Sequence, residues 1–207
     1  MRKGIANDPG RRQRIRDAAA AVIAEEGVEA ATYRRVAAHA EVPLGSMTYY
    51  FPKLTDLITS AFELLGEQLR PRYDTPLREA VDRQAAIEVL VEATCGSTRA
   101  TPEQLRLGRE MHRCGSRSPT VAAQIASLEA EAIDALRTHF TEPAARALDA
   151  LVEGWWVHQS WNRAPLDPDM VRRAFTSLAR EFDGPDEPEK LDEPEGLDEP
   201  EEHDAGQ

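Results

Sequence analysis

The chain lacks the features that mark secreted and membrane-spanning proteins. Only two of its 207 residues are cysteines, and no apolar run approaches 18 residues. A membrane-spanning helix needs about 20 predominantly apolar residues. The N-terminus is basic but has no apolar segment of the kind found in secretory signals. Because cytosolic proteins keep their thiols reduced, we expect a cytoplasmic protein with two free cysteines.

Catalytic motifs are missing as well. The sequence contains no Gly-rich phosphate loop, no Gly-x-Ser-x-Gly elbow and no His-Glu-x-x-His pair. His112 and Cys114 lie two apart on a predicted helix and therefore diverge, so a metal site that includes the distant Cys95 is not expected. A redox pair of Cys95 and Cys114 stays open, since it needs Cα atoms within about 7 Å. We expect neither an enzyme nor a bound cofactor or metal.

Helical patterns fill the chain from residue 54 to residue 182. Apolar residues recur every three or four positions from Leu54 to Leu69 and predict a long helix that ends at Pro71. Another helix opens at Thr141 or Glu142. No strand-like alternation competes, and we predict an all-α fold of about nine helices. Five capping residues followed by proline mark further helix starts, at Asp8-Pro9, Thr75-Pro76, Thr101-Pro102, Ser118-Pro119 and Asp167-Pro168.

The most informative stretch is residues 32–51, which predicts two short helices about a tight turn. Thr32 is a good N-cap, and Pro43 ends one helix while suiting the first turn of the next. Gly45 costs about 1 kcal/mol of helix propensity, which suggests close approach to another helix or to a phosphate backbone. The second helix, from about residue 43 to 50, leaves an outer face of hydrogen-bond donors that could reach phosphates or base edges: Ser46, Thr48, Tyr49 and Tyr50.

This segment resembles the signature of the tetracycline-repressor (TetR) family. The resemblance covers residues 15–58 and rests on their order and spacing. The chain departs from the family pattern at Glu41, where glycine is usual, and at Thr48, where tyrosine is frequent. Leu54 stands where the family has a phosphate-binding lysine, and Lys53 could substitute. The matching residues are Thr32, Val42, Gly45-Ser46-Met47, Tyr49-Tyr50-Phe51 and Asp56-Leu57.

The resemblance implies a three-helix DNA-binding head at residues 8–53, with its helix-turn-helix at about 32–51, and a helical effector-binding and dimerisation domain at 54–182. It implies a transcriptional regulator that binds an operator as a homodimer. Base contacts are expected from Leu44, Gly45, Ser46, Thr48 and Tyr49, and phosphate contacts from Thr32, Arg34, Tyr50 and Lys53. We expect repression relieved by a largely apolar effector, although activation stays open.

The resemblance also places an effector between the connecting helix and the helices after it. Wide apolar faces on the last two helices, about residues 142–182, predict that they bury more than the chain's own core, and the resemblance implies that they pair with a second subunit. Trp155 and Trp156 point about 100° apart on one helix, so one monomer's core should not occupy both. The candidate effector contacts, each of which could equally be a core residue, are Phe62, Leu65, Met111, His112, Trp155, Trp156 and Gln159.

Charge is divided sharply along the chain. The net charge is −12, but residues 183–207 alone carry −11, and residues 1–53 carry +3. The first 16 residues are strongly basic, and a basic segment favours binding to a phosphate backbone. Arg2 and Lys3 could equally keep the terminus soluble. The arginines from Arg11 to Arg16 are better placed for DNA. The end of the chain repeats Asp-Glu-Pro-Glu every six residues from Asp186, which predicts a disordered tail. This tail either solubilises the protein or competes with DNA for the basic head.

Two other functions remain compatible with the sequence. A helix-turn-helix protein without an effector could dock a protein partner on its body. A helical small-molecule carrier is a further alternative. The sequence itself does not identify the effector, the operator bases or the regulated genes.

Overall fold

A computed structural model describes residues 8–162 and 164–184, and within these ranges the chain forms ten α-helices and no strand. The predicted all-α fold is confirmed. Arg2, Lys3 and the predicted disordered tail lie outside the described residues, apart from Asp183 and Gly184. The helices are α1 Arg11–Glu26, α2 Tyr33–His39, α3 Leu44–Tyr50, α4 Leu54–Leu69, α5 Asp74–Glu79, α6 Arg83–Cys95, α7 Pro102–Gly115, α8 Pro119–Leu136, α9 Glu142–Gln159 and α10 Pro168–Asp183.

Three of the predicted capping pairs start their helices as expected. Thr101, Ser118 and Asp167 each accept a hydrogen bond from a backbone N–H in the first turn of α7, α8 or α10. The prediction for Asp8-Pro9 was wrong by two residues, because α1 begins at Arg11. There the Asp8 carboxylate accepts from the Gly10 N–H at 3.1 Å, which makes a turn before the helix rather than its cap.

The segment around Thr75-Pro76 also differs from its prediction. The helix already begins at Asp74 and stops at Glu79, and a second helix starts at Arg83. The break arises because Asp82 is a strong N-cap whose carboxylate accepts from the Ala85 N–H at 2.7 Å. Two helices, α5 and α6, therefore occupy this segment.

The helices enclose two apolar clusters. The first joins α1–α3 to α4, α7 and the start of α8, so the predicted head shares its core with the connecting helix. The second joins α5, α6 and the end of α8 to α9 and α10. Trp156 packs against the first cluster and Trp155 against the second. The two side chains diverge as predicted, but each finds a partner within the monomer.

Among the helices of the described ranges, none is both long enough and apolar enough to cross a bilayer.

Candidate DNA interface and effector cavity

The helix-turn-helix is fixed by a small apolar core and by one hydrogen bond between α2 and the end of α3. Thr32 caps α2, and its Oγ1 accepts from the Arg35 N–H at 3.2 Å. Met47 and Phe51 are buried beneath α3. The Tyr33 hydroxyl donates to the Phe51 carbonyl at 2.6 Å and thereby ties the start of α2 to the end of α3. These contacts set the angle at which α3 presents its outer face.

The turn between α2 and α3 contains an unusual backbone conformation. Glu41 has a φ of 52°, which is the left-handed region that favours glycine. The Val42 N–H then donates to the Ala37 carbonyl at 3.0 Å and closes the turn. Glu41 is the position at which the resembled family usually has glycine, so the sequence departure coincides with a conformation that an L-residue adopts at a cost.

Four of the five predicted base-contacting residues lie on one exposed face of α3. Leu44 is 50% exposed and Tyr49 is 78% exposed, and Gly45 and Thr48 lie on the same open surface. A Cβ on Gly45 would meet nothing within 4 Å, so the described chain places no other helix against it. Ser46 differs, because it is only 3% exposed and lies inside. Its Oγ has no hydrogen-bond partner within the described residues, so it faces the core rather than a groove.

The predicted phosphate contacts flank this face. Thr32, Arg34 and Lys53 are exposed, and Tyr50 is half-buried with its ring edge-to-face against Tyr49 at 4.9 Å. Lys53 immediately precedes α4, and its backbone N–H donates to the Asp56 carboxylate at 3.2 Å. The start of α4 is thereby fixed, with the Lys53 side chain open to solvent.

The basic residues of α1 do not all serve one surface. Arg16 is only 6% exposed; it forms an ion pair with Glu67 at 2.8 Å and donates to the Ser60 carbonyl. Its predicted role beside DNA is therefore wrong, because Arg16 ties α1 to α4. Arg14 pairs with Asp8 at 2.6 Å, and this hydrogen bond lowers the pKa of the Asp8 carboxyl. Arg12 remains exposed, with its guanidinium 5.1 Å from the centre of the Phe51 ring.

The predicted effector region contains a cavity of about 80 Å³ between α4, α7, α8 and α9. Four of the seven effector candidates line it: Leu65, Met111, His112 and Trp156. The other three lie elsewhere: Phe62 is fully buried in the first apolar cluster, Trp155 packs edge-on to Phe175 at 5.1 Å, and Gln159 donates to the Thr94 carbonyl at 3.2 Å.

A second cavity of about 70 Å³ adjoins the first and shares part of its wall, including Glu153 and Trp156. It is also lined by Asp149 and Tyr73, which the sequence interpretation missed. Burial and the neighbouring carboxylates of Glu153 and Glu129 raise the pKa of Asp149 to about 7. The available signal was the spacing: Asp149 and Glu153 lie four residues apart on an otherwise apolar helical stripe.

One helix touches both the cavity and the DNA-binding head. On one side of α7, Leu105 and Met111 line the first cavity. On the other, Arg106 donates to the Ala24 carbonyl at 3.1 Å, and the Glu110 carboxylate accepts from the Val28 N–H at 3.1 Å. These two contacts hold the C-terminal end of α1 and the turn after it against the body.

The two cysteines are free thiols, and burial raises the pKa of both Cys95 and Cys114. Such thiols carry little thiolate and react slowly near neutral pH. Within residues 8–162 and 164–184, no three His, Cys, Asp or Glu side chains converge as a metal site would require.

Comparison with known proteins gives three kinds of match. The family of bacterial regulatory proteins described as the tetR family matches residues 15–68. A transcriptional regulator of Streptomyces coelicolor A3(2), SCO7518, has a similar structure, with a TM-score of 0.73 and 32% identity over 83% of this chain and 99% of that one. The multidrug binding protein EbrR, solved with imidazole, has a TM-score of 0.68 and 30% identity over 83% of this chain and 96% of that one.

Among curated proteins, the regulator PksA of Bacillus subtilis (strain 168) is 31% identical over 83 residues, which are 40% of each chain. That alignment therefore spans less than half of PksA.

Proposed function

Because the chain belongs to the TetR family and is a DNA-binding transcriptional regulator, we propose that it is a homodimeric repressor released from a palindromic operator by a small-molecule effector. The observation that carries this proposal is the exposed face of α3, held rigidly by buried Met47 and Phe51. We propose residues 8–53 as the DNA-binding head and residues 54–182 as the effector and dimerisation domain, in a cytoplasmic protein without enzymatic activity.

DNA recognition is assigned to the open face of α3. Leu44, Gly45, Thr48 and Tyr49 would meet base edges in the major groove, where a recognition helix reads sequence. The exposed Thr32, Arg34 and Lys53, together with the half-buried Tyr50, would contact phosphates at either side. The burial of Ser46 leaves it a packing role beneath this face.

Dimerisation is assigned to the last two helices, about residues 142–182. Their outer sides retain apolar surface, including Met170 and Phe182, after Trp155 and Phe175 have packed inside the monomer. A twofold dimer would place two α3 helices about one DNA turn, roughly 34 Å, or somewhat more apart.

Effector control is supported by the cavity and by α7. EbrR has been solved with malachite green, and the cavity lined by Leu65, Met111, His112 and Trp156 would take a largely apolar molecule here. An effector can shift the head only through different affinities for two conformations. Because α7 lines the cavity and holds the end of α1, it would carry that difference to the DNA-binding face.

Substitution of Tyr49 tests the DNA-binding face. We expect Tyr49→Ala to weaken binding to the DNA upstream of the protein's own gene by about tenfold or more, since each lost base or phosphate contact costs on the order of 1–3 kcal/mol. A gel-shift titration measures the change. Dimerisation should be unaffected.

The matched control for that substitution is Ser46→Ala on the same helix. Because the Ser46 hydroxyl is buried and unpaired within the described residues, the control should bind DNA as the wild type does. Equal affinities for wild type and Tyr49→Ala would contradict the assignment of this face to the major groove.

A further inference from the structure

The two adjoining cavities differ in character along their length. The end between α4 and α7 is largely apolar, with Leu65, Leu69 and Met111 in its wall. The end between α5, α8 and α9 contains three carboxylates, Glu129, Asp149 and Glu153. A ligand that spans both would meet a hydrocarbon surface at one end and negative charge at the other.

Aromatic side chains form the partition between the two ends. Tyr73 and Trp156 line both cavities. The Trp156 indole nitrogen is buried and has no hydrogen-bond partner within the described residues. Aromatic faces of this kind stack on flat rings and attract cations through their quadrupole.

Asp149 is half-buried, whereas the side chains of Glu129 and Glu153 are 47% and 45% exposed. Asp149 makes no hydrogen bond and no ion pair with any part of the chain that the structure describes. The Glu153 carboxylate lies 3.8 Å from His112 Nε2, and Glu129 forms an ion pair with Arg146 at 3.8 Å at the solvent-exposed edge. Burial without a counter-ion is consistent with the raised pKa of Asp149. An incoming cation would relieve the repulsion between Asp149 and Glu153.

We propose that the effector is an organic cation with a flat aromatic body, its positive charge beside Asp149 and Glu153 and its rings against Trp156 and Tyr73. This inference rests on the proposed effector control and adds the chemical class of the ligand. Neutral and anionic molecules of the same shape would be discriminated against, because they leave the half-buried Asp149 without a counter-ion.

The size of the cavities links binding to movement. The volumes are only about 80 and 70 Å³, whereas an engineered protein cavity that binds benzene has about 150 Å³. A ligand with one or two rings must therefore open the shared wall of Leu128 and Trp156. That displacement would push α8 and α9 away from α4 and α7, which both pack directly on α1.

Three ligands of matched shape test the proposal in isothermal titration calorimetry with the full chain. They are the cation N-methylquinolinium, its neutral isostere 1-methylnaphthalene and the anion 1-naphthoate. We expect the cation to bind about tenfold or more tightly than the neutral isostere, as a desolvated cation–π contact and a charge pair together allow. The anion should not bind. Equal affinities for the cation and its isostere, or no binding of the cation at millimolar concentration, would overturn the proposal.

Neutral isosteric variants locate the charge effect. Asp149→Asn and Glu153→Gln should each lower the affinity for N-methylquinolinium by about tenfold and leave that for 1-methylnaphthalene unchanged. Glu63→Gln on exposed α4 surface removes the same charge outside the cavities and should change neither. Thermal unfolding verifies that each variant folds. Unchanged cation affinity in both cavity variants, or a loss of dimerisation in place of a loss of affinity, would refute the assignment.

The calorimetry needs no DNA, so its failure is distinct from failure of the proposed function. A protein that binds its upstream DNA but ignores the cation would retain its regulatory role and lose only this ligand class. A protein that binds the cation but no DNA would contradict the proposed function and keep the ligand assignment.

Discussion

At the residue scale, Glu41 is the clearest point where sequence and backbone conflict. An L-residue in the left-handed region costs about 1 kcal/mol or somewhat more. Glycine removes this strain, but part of the gain in stability is lost because glycine also raises the conformational entropy of the unfolded chain. Because Glu41 has a φ of 52°, we expect Glu41→Gly to raise the free energy of unfolding by about 0.5–1 kcal/mol. Urea denaturation measures it.

The β-branched variant Glu41→Val provides the opposite control, since valine tolerates a positive φ worse than glutamate does. It should lower stability. Stabilisation by valine, or destabilisation by glycine, would show that the turn relaxes to another conformation.

The raised pKa of the Asp149 carboxyl predicts that the stability of the protein depends on pH. Its pKa is raised to about 7 by burial, then by Glu153 and Glu129, so between about pH 4 and pH 7 the folded chain binds more protons at this site than the unfolded chain does. The free energy of unfolding should therefore fall as pH rises through that window. After allowance for partial exposure, we expect a loss of about 1–2 kcal/mol.

The variant Asp149→Asn isolates this effect in denaturation experiments at pH 5 and pH 8. The substitution should remove the part of the pH dependence that Asp149 causes. At pH 8 the variant should be more stable than the wild type. An identical slope in wild type and variant would mean that Asp149 ionises in the folded protein at ordinary acid pH.

At the element scale, α7 contacts both the first cavity and the DNA-binding head. The Glu110 side chain forms one of the two hydrogen bonds between α7 and the head. Glu110→Ala removes the acceptor of the Val28 N–H, and leaving that amide unpaired should cost about 1–2 kcal/mol of stability. Hydrogen exchange at the Val28 amide should accelerate, and DNA affinity should fall as the end of α1 loosens.

The variant Glu110→Gln separates geometry from charge, because its amide oxygen can still accept from Val28. It should retain most of the protection at that amide. Equal protection in wild type and Glu110→Ala would show that α7 does not hold the head through this bond.

How far elements could be predicted depended on whether the determining contacts were local. Thr101, Ser118 and Asp167 started helices where expected, because an N-cap bonds within its own first turn. The break before Asp82 was missed because two short helices leave a periodic pattern much like one longer helix. Burial of Ser46 and Arg16 also escaped prediction, since it depends on partners such as Glu67 that lie far along the chain.

The effector region shows the same division. The family resemblance placed Leu65, Met111, His112 and Trp156 in the region of the first cavity, which all four line, but it could not show that Trp155 packs on Phe175 instead. Asp149 and Glu153 were overlooked because acids on a helix usually face solvent. The packing of α9 against α6 and α8 places them beside the second cavity.

At the scale of the whole molecule, the two apolar clusters explain how one chain could join DNA reading to ligand binding. The first cluster runs without interruption from α1 through α4 to α7 and α8. A change in the cavity would therefore be transmitted through packed side chains rather than across a hinge. The proposed dimer converts such a shift into a changed spacing between two α3 helices.

DNase footprinting of the region upstream of the protein's own gene tests the central claim most directly. A dimer that reads DNA through paired α3 helices should protect an inverted repeat whose half-site centres lie about one helical turn, roughly 34 Å, or somewhat more apart. Absence of protection beyond that of random DNA, or protection of a site without twofold symmetry, would contradict the account.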